Sequence, residues 1–436
     1  MLKNIICAIA MLCIPVFAVA AEVPKELDAY LALPDDSFRW EIVEKTDAPG
    51  DRAFLIDLTS QTWQGNPWKH ALLVAVPHRV VHSNHVLLLI GGSSTGRKPS
   101  DGDKTQIRLL AEASGMCAAL LLQVPNQPLL GGYYEDALIG ETLLRSLETE
   151  DATLPLLFPM TKSALKAMDA VQQVLKAEMQ FEIDGFVVTG TSKRGWTTWL
   201  AAASGDERII AIVPIVIDNL NIRAQMQYQI ETWGAFSPSI HDYTERNLIR
   251  LDNAHASEFE KCRWEMIDPY SYRERLMLPK LMIHGTNDPY WTVDAAQFYF
   301  DDLPGVKYLL TLPNAGHGLE GQVLKAAQTA SVFARFAAQG GEWATLKWTL
   351  TESDVGYRVN IETNLSWHRA KLWTARSDTK DFRQARWTNV GSLRELKSPF
   401  FFSIGKPESG HIAFFVELES ISGSLPFSLT TQVWRF

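Results

Sequence analysis

The sequence predicts an α/β fold: a mostly parallel sheet with helices on both faces, a helical insertion above it, and a small C-terminal β-sandwich. Three observations predict it. Continuous apolar runs alternate with helical stretches through the middle of the chain. A long aromatic-rich stretch interrupts that alternation between Ile217 and Pro279. After about Gly341 the runs become short, alternating and separated by turns. Strands buried on both faces read as unbroken apolar runs, as in parallel sheets with crossover helices. Alternation marks strands with one wet face, the pattern of a sandwich.

The N-terminus, "MLKNIICAIAMLCIPVFAVAAEV", begins with the basic Lys3. An apolar run from Ile5 to Phe17 and the small-x-small triplet Ala18-Val19-Ala20 follow. This is the pattern of a secretory leader spanning 1–20, with cleavage after Ala20 or Ala21. The run is short for a bilayer span, and no other segment is long enough, so no stable membrane span is expected after cleavage. Cys7 and Cys13 leave with the leader, which leaves Cys117 and Cys262 either as a disulfide or as two buried free thiols.

From residue 21 to about 340 the α/β pattern holds. "FRWEIVEKT", "RAFLIDLTSQTW" and "HALLVAVP" read as antiparallel strands. "HVLLLIGG", "CAALLLQVP", "GFVVTG", "IIAIVPIV", "KLMIHG" and "KYLLTLP" are buried strands. "DKTQIRLLAEASG", "PMTKSALKAMDAVQQVLKA", "KRGWTTWLAAAS" and "DAAQFYFDDL" are the helices among them. Residues 218–279 form the insertion, placed as a lid over the carboxyl edge of the sheet. Residues 341–436 carry the Ig-like sandwich, through "LKWTLTE", "YRVNIET", "KLWTAR", "FFFSIG", "HIAFFVELE" and "FSLTTQVWRF". Of the chain's residues 46% are hydrophobic, enough for a sizeable core, and the net charge of -9 without a basic run argues against nucleic acid.

"FVVTGTSKRGWTTWL" places Ser192 in a cramped turn between a buried strand and a helix. A parallel sheet works at the edge where strands end and helices begin. A serine there, among small residues, is the nucleophile elbow of α/β-hydrolases. The helix N-terminus favours negative charge, and the backbone amide of Lys193 becomes an oxyanion donor. Glycine is usual two places after the serine; here Arg194 stands there and Gly195 follows.

The partners must follow in the order acid, then histidine. Asp288 comes directly after the "KLMIHG" strand, and His317 lies in the "PNAGHGL" loop after the next. The histidine would take the serine proton and return it to the leaving group, and the carboxylate would fix the imidazole tautomer. Asp218 is the rival acid. His82 and His85 precede a strand and read as surface residues. The second oxyanion donor is the backbone amide of Gly92 or Ser93, in the glycine-rich loop after "HVLLLI". Arg194 is expected to turn from the serine and pair with Asp218 or Asp268 at the base of the insertion; the rival reading has it bind a substrate carboxylate. Glu135 and Asp136, with Glu141, are either an amine-binding subsite or a solvated helix start. Tyr290 and Trp291 are candidate pocket walls, while Trp196 and Trp199 read as core. No cofactor is expected, and no cluster has metal-ligand spacing. A small molecule or peptide is the expected substrate.

"VPNQPL", "EDALIGETL", "PMTKSALKAMDAV", "GTSKRGWTTWL", "VIDNLN", "DPYSYRERLMLPKLMIHGTNDPYW" and "LPNAGHGL" together resemble the PhoPQ-activated pathogenicity-related protein family. "LWTARSDTKDFRQARW" extends the resemblance into the C-terminal segment. The chain is also similar to the autocrine proliferation repressor group and, more distantly, to prolyl-oligopeptidase-like serine peptidases. The resemblance implies an exported α/β-hydrolase-like protein with a tie to virulence. It implies that Ser192, Asp288 and His317 occupy the serine, acid and histidine positions. In many relatives the acid segment reads closer to G-T-G-D-E; here it is "GTNDPYW", which keeps the aspartate. The Ser192, Asp288 and His317 set points to cleavage of an ester or peptide bond through an acyl-enzyme; the family name records regulation and supplies no substrate. The alternative is a secreted binding or signalling protein on a hydrolase scaffold.

Overall fold

The computed structural model describes residues 23–48, 51–251, 257–394 and 396–436. The expected leader and its cleavage site lie outside the described residues. After helix α1 (Glu26–Leu31), an antiparallel meander opens the main sheet: β1 (Arg39–Ala48), β2 (Asp51–Trp63) and β3 (Asn66–Val76). The crossover section follows as β4 (His82–Ile90), α2 (Asp101–Ser114), β5 (Met116–Leu121), α3 (Glu135–Thr149), α4 (Leu157–Met179), β6 (Gly185–Thr191), α5 (Lys193–Ala203) and β7 (Ile209–Ile215). The insertion supplies α6 (Ile222–Trp233), α7 (His241–Thr244), α8 (Glu258–Cys262) and two 3₁₀ segments, Pro238–Ile240 and Pro269–Arg275. Strands β8 (Lys280–Gly285) and β9 (Lys307–Leu312) and helix α9 (Val323–Gln339) complete the layered part.

The strand order is β1-β2-β3-β5-β4-β6-β7-β8-β9, parallel from β5 onward. β3 runs antiparallel to both of its neighbours. Set aside β1, and this is the strand order of the α/β-hydrolase fold. Side chains of a strand alternate between faces, and β4 shows it: Val86, Leu88 and Ile90 join one core, with α4 and α5, while Leu87 joins the other, with α2 and α9. Both faces are covered, so these strands are apolar throughout. Helix α2 is set by a capping box, Ser100 with Asp103, and by Gly115 in the left-handed region at φ 68°.

The C-terminal strands are β10 (Leu346–Ser353), β11 (Gly356–Thr363), β12 (Arg369–Ser377), β13 (Thr388–Arg394), β14 (Phe400–Gly405), β15 (His411–Ser422), β16 (Leu425–Thr430) and β17 (Trp434–Arg435). β10, β11 and β14 make a separate sheet. The others form the facing layer, and that layer continues the main sheet, because β16 pairs with β9 at Thr430 and Leu309. The α2–α9 core runs on between the two layers through Tyr357, Val359, Ile361, Phe414 and Val416.

Several expectations are corrected. "DAAQFYFDDL" is not a full helix but one 3₁₀ segment, Ala295–Phe298. Tyr299 and Phe300 are both buried, and adjacent residues point to different sides of a helix. β13 was not expected, since its residues are mostly exposed and its sequence, TNVGSLR, is polar. His82 and His85 lie within β4, half-buried, rather than before it. Of the alternatives for Cys117 and Cys262 the disulfide is absent, and only Cys117, in β5, is buried, whereas Cys262 lies exposed on α8. Among the described residues no helix is long and apolar enough to cross a membrane.

Candidate active site

Ser192 stands between β6 and α5, as the N-cap of α5, with φ 59° and ψ −128°, and its side chain makes no cap hydrogen bond. A non-glycine residue there is strained, and such strain persists only where the surroundings enforce it. The glycines explain how the turn closes. A Cβ on Gly190 would lie 2.5 Å from the Arg194 carbonyl oxygen. A Cβ on Gly195 would lie 2.6 Å from Ile217 Cγ2 and 3.0 Å from the Gly190 oxygen. The close packing that needs glycine therefore falls at position 195, and position 194 is free to carry a long side chain, which lies buried.

The Ser192 hydroxyl lies 2.8 Å from His317 Nε2, and His317 Nδ1 lies 2.8 Å from Asp288 Oδ2. Nδ1 faces a carboxylate, which requires a proton on Nδ1 and leaves Nε2 to accept from the serine. Asp288 is buried, and its other oxygen accepts from the Tyr290 backbone N–H at 3.0 Å. The Tyr290 ring packs on the imidazole at 4.4 Å between centroids. Asp218 does not take this place. It is buried, accepts a hydrogen bond from Tyr299, and lies 3.9 Å from His284 Nε2. Burial raises its pKa, against the opposing pull of His284 and Tyr299.

Arg194 departs from expectation. Its partner is Glu135, not Asp218 or Asp268: Nη1 and Nη2 each donate to one carboxylate oxygen at 2.7 Å, and Nε donates to the Val124 carbonyl at 2.6 Å. The sheet order gives the reason. β4 and β5 lie on one side of β6 and the insertion leaves from β7 on the other, and Arg194 turns toward the first side. Asp268 is occupied by backbone donors from both stalks of the insertion, Asn221, Ile222 and Tyr270 at 2.8–3.2 Å. Neither is the guanidinium free to face the serine. It lies against Gly92, where a Cβ would come within 2.0 Å of Nη2.

Glu135 is therefore not a solvated helix start. Lys193 Nζ also reaches it at 2.8 Å, and Asp136 at 3.4 Å. Burial acts to raise the Glu135 pKa, but Arg194 and Lys193 outweigh it and hold the carboxyl well below its ordinary range. Asp136 accepts from Tyr243 of α7 at 3.0 Å and from Tyr290 at 3.4 Å, so it joins the insertion, the elbow and the acid loop. Glu141 pairs with Arg145 one turn along α3. Trp291 lines a cavity of about 20 Å³ together with Asp288, Asp218 and His284. Trp196 and Trp199 are core, and the Trp196 indole donates to the Ile267 carbonyl at 2.6 Å. Lys193 is the first residue of α5, Gly92 and Ser93 follow β4, and the Ser93 hydroxyl is buried without a hydrogen-bond partner among the described residues. Sequence reasoning missed Tyr243, the Lys193 side chain, and Asn287 and Asn314 flanking the acid and the histidine. Lys193 beside Ser192 and Asn287 beside Asp288 were the available signal, with Asn314 three residues before His317.

Fold and site define an α/β-hydrolase-fold protein that carries a serine, a histidine and an aspartate in hydrogen-bonded series at the carboxyl edge of its sheet. Residues 27–383 match the family described as PhoPQ-activated pathogenicity-related protein, and the chain belongs to that family. It is 30% identical over 447 residues to autocrine proliferation repressor protein A of Dictyostelium discoideum, covering 93% of this chain and 89% of that protein. Among solved structures it is similar to acetyl xylan esterase 1 from Thermoanaerobacterium sp. JW/SL YS485, with 15% identity, a TM-score of 0.48, and 72% of this chain and 95% of that chain covered. It is also similar to the glucuronoyl esterase from Solibacter usitatus, with 14% identity, a TM-score of 0.44, and 73% and 92% covered.

Proposed function

We propose that this protein is an exported serine hydrolase that cleaves acyl bonds through a covalent acyl-enzyme on Ser192. The observation that carries the reading is the unbroken series from Ser192 Oγ to His317 Nε2 and from His317 Nδ1 to Asp288, each step 2.8 Å, on a strained elbow. Ser192 Oγ attacks the carbonyl carbon as Nε2 takes its proton. The negative charge that develops on the carbonyl oxygen is met by backbone amides of Lys193 and of Gly92 or Ser93. His317 then gives the proton to the leaving group, and water, deprotonated by the same imidazole, releases the acid and restores Ser192.

Esters are the preferred substrates on this reading. A peptidase that grips a free amino terminus needs carboxylates with charge to spare. Glu135 is paired with both Arg194 and Lys193, and Asp136 is shared by Lys193, Tyr243 and Tyr290. Export rests on the leader pattern of the first 20 residues, and the family's description supports a tie to pathogenicity.

A fluorophosphonate probe tests the proposal. It should label the wild-type protein at Ser192 and leave Ser192→Ala unlabelled. A folded wild-type protein that takes no label would instead favour the binding or signalling role.

A further inference from the structure

We propose that the C-terminal sandwich is a working part of the site: its segment 382–387 is a clamp that positions the acid and histidine loops, with Asn287 and Asn314 as the positioning residues. The proposal rests on the reading of Ser192, His317 and Asp288 as the catalytic set.

Asn287 immediately precedes Asp288. Its side-chain amide donates to the carbonyls of Arg383 at 3.1 Å and Ala385 at 2.8 Å. Asn314 lies three residues before His317. Its amide donates to the Trp387 carbonyl at 2.9 Å and its oxygen accepts from the Trp387 N–H at 2.8 Å. The two asparagines are also joined to each other. Thr286 Oγ1 accepts from the Asn314 N–H at 2.9 Å and donates to Asn287 Oδ1 at 2.7 Å. The residues next to the acid and near the base therefore share one network, and its outer anchors come from one stretch of backbone in the sandwich.

That stretch is itself held firmly. Phe382 and Trp387 are buried with Phe415, Ala413 and Val433, and Val293 of the acid loop packs against the same group. Asn314 adopts φ 58°, a conformation that asparagine tolerates better than most residues. The same layer also reaches the insertion: Arg435 of β17 pairs with Asp294 at 3.1 Å and donates to Thr232 of α6 at 3.0 Å, and Arg383 lies over the Trp233 ring at 4.0 Å. Loops after strands are the mobile parts of such a sheet. Two of them must hold a histidine and a carboxylate in register with a serine on a third element. A displacement of about 1 Å in such a set costs on the order of 100-fold in rate.

The test uses the full mature chain carrying Asn287→Ala or Asn314→Gly; glycine keeps the left-handed backbone at 314 while removing the amide. Three quantities are measured: kcat and KM on an activated ester, the melting temperature, and the low-field NMR signal of the proton between His317 Nδ1 and Asp288. Both variants should fold, with a melting temperature lowered by a few degrees, since each leaves part-buried backbone groups of residues 383–387 without their partner. Their kcat should fall about 10- to 100-fold with KM within about twofold, because geometry at the reacting atoms is lost and substrate binding is not. The low-field signal should broaden or vanish. Folded variants with wild-type kcat and an intact signal would overturn the clamp. If the wild-type protein neither turns over esters nor takes a fluorophosphonate label, the hydrolase reading fails instead, and the proton signal of wild type against variants still decides whether the sandwich positions His317.

Discussion

Arg194 and Glu135 form a bidentate pair, 2.7 Å on each arm, beneath the loop that carries Gly92. The pair joins the elbow to the start of α3, and Lys193 and Gln127 add further bonds to the same carboxylate. A planar guanidinium meeting a carboxylate on two arms fixes orientation as well as distance. The residue that breaks the elbow pattern is thereby used to hold the elbow and the neighbouring loop in one geometry.

The first prediction follows from that pairing. Glu135→Gln should destabilise the protein at pH 7 by about 1–2 kcal/mol, less than the roughly 3–5 kcal/mol of a fully buried pair because the Glu135 side chain is 39% exposed and partly screened. The pH dependence has a definite sign. Glu135 is held well below its ordinary pKa in the folded state, so its contribution is complete above the unfolded value of about 4.3 and is lost as pH falls below it toward the folded value. The gap between wild type and Glu135→Gln should stay constant from neutral pH to about pH 5 and then narrow. Denaturant titrations at a series of pH values measure it. A gap that widens in acid contradicts the assignment.

The second prediction concerns Gly92. Any side chain there meets the Arg194 guanidinium, so Gly92→Ala must displace either the loop or the arginine. If the loop supplies an oxyanion amide, kcat should fall about 100- to 1,000-fold, the cost of one lost donor, while KM changes little. Wild-type kcat in a Gly92→Ala variant whose crystal structure shows the loop displaced would remove this loop from the oxyanion site.

The third prediction separates strain from chemistry. Ser192 holds φ 59° and ψ −128°, where a side chain costs of order 1–3 kcal/mol. Ser192→Gly should therefore raise the melting temperature while abolishing turnover. Ser192→Ala keeps the strain and should melt near wild type, equally inactive. Calorimetry on the two variants distinguishes them, and a Ser192→Gly melting temperature below that of Ser192→Ala would mean that any strain released is smaller than the roughly 0.5–1 kcal/mol that glycine costs through the unfolded chain.

What the sequence made legible follows from chain continuity. Each buried strand ends in its own loop, so Ser192, Asp288 and His317 could be read as residues following β6, β8 and β9, and their order along the chain matched the order in the sheet. Pairings across the sheet were not legible in the same way. Arg194 could have met either the insertion or the β5–α3 connection, and only the order β5-β4-β6-β7 selects the second. The sandwich's hold on Asn287 and Asn314 was hidden for a related reason. It uses backbone carbonyls of residues 383–387, and backbone groups leave no signature in residue identity. The "DAAQFYFDDL" segment failed as a helix because its aromatic residues are buried on more than one side, which a reading of local pattern cannot detect.

The last prediction sets the two candidate acids against each other. Both are buried aspartates that follow strands of the same sheet, yet their surroundings differ. Asp288 faces His317 at 2.8 Å and takes a backbone N–H on its other oxygen. Asp288→Asn should therefore leave the fold intact and lower kcat about 10,000-fold, since an amide can present its N–H to Nδ1 and favour the wrong tautomer. Asp218 faces Tyr299 and His284. An asparagine oxygen can still accept from Tyr299, so Asp218→Asn should keep kcat within a few-fold of wild type. Its effect should appear in stability instead. Burial raises the Asp218 pKa, so the folded protein holds that proton more tightly than the unfolded chain, and wild-type stability falls as pH rises from about 3.9, the unfolded value, to the raised folded one. Asparagine has no proton to lose, so the stability of Asp218→Asn relative to wild type should grow across that interval and level off above it. Initial rates at saturating ester and melting curves between pH 4 and pH 8 give both readouts. A 10,000-fold loss in Asp218→Asn with a mild effect in Asp288→Asn would reverse the assignment of the acid.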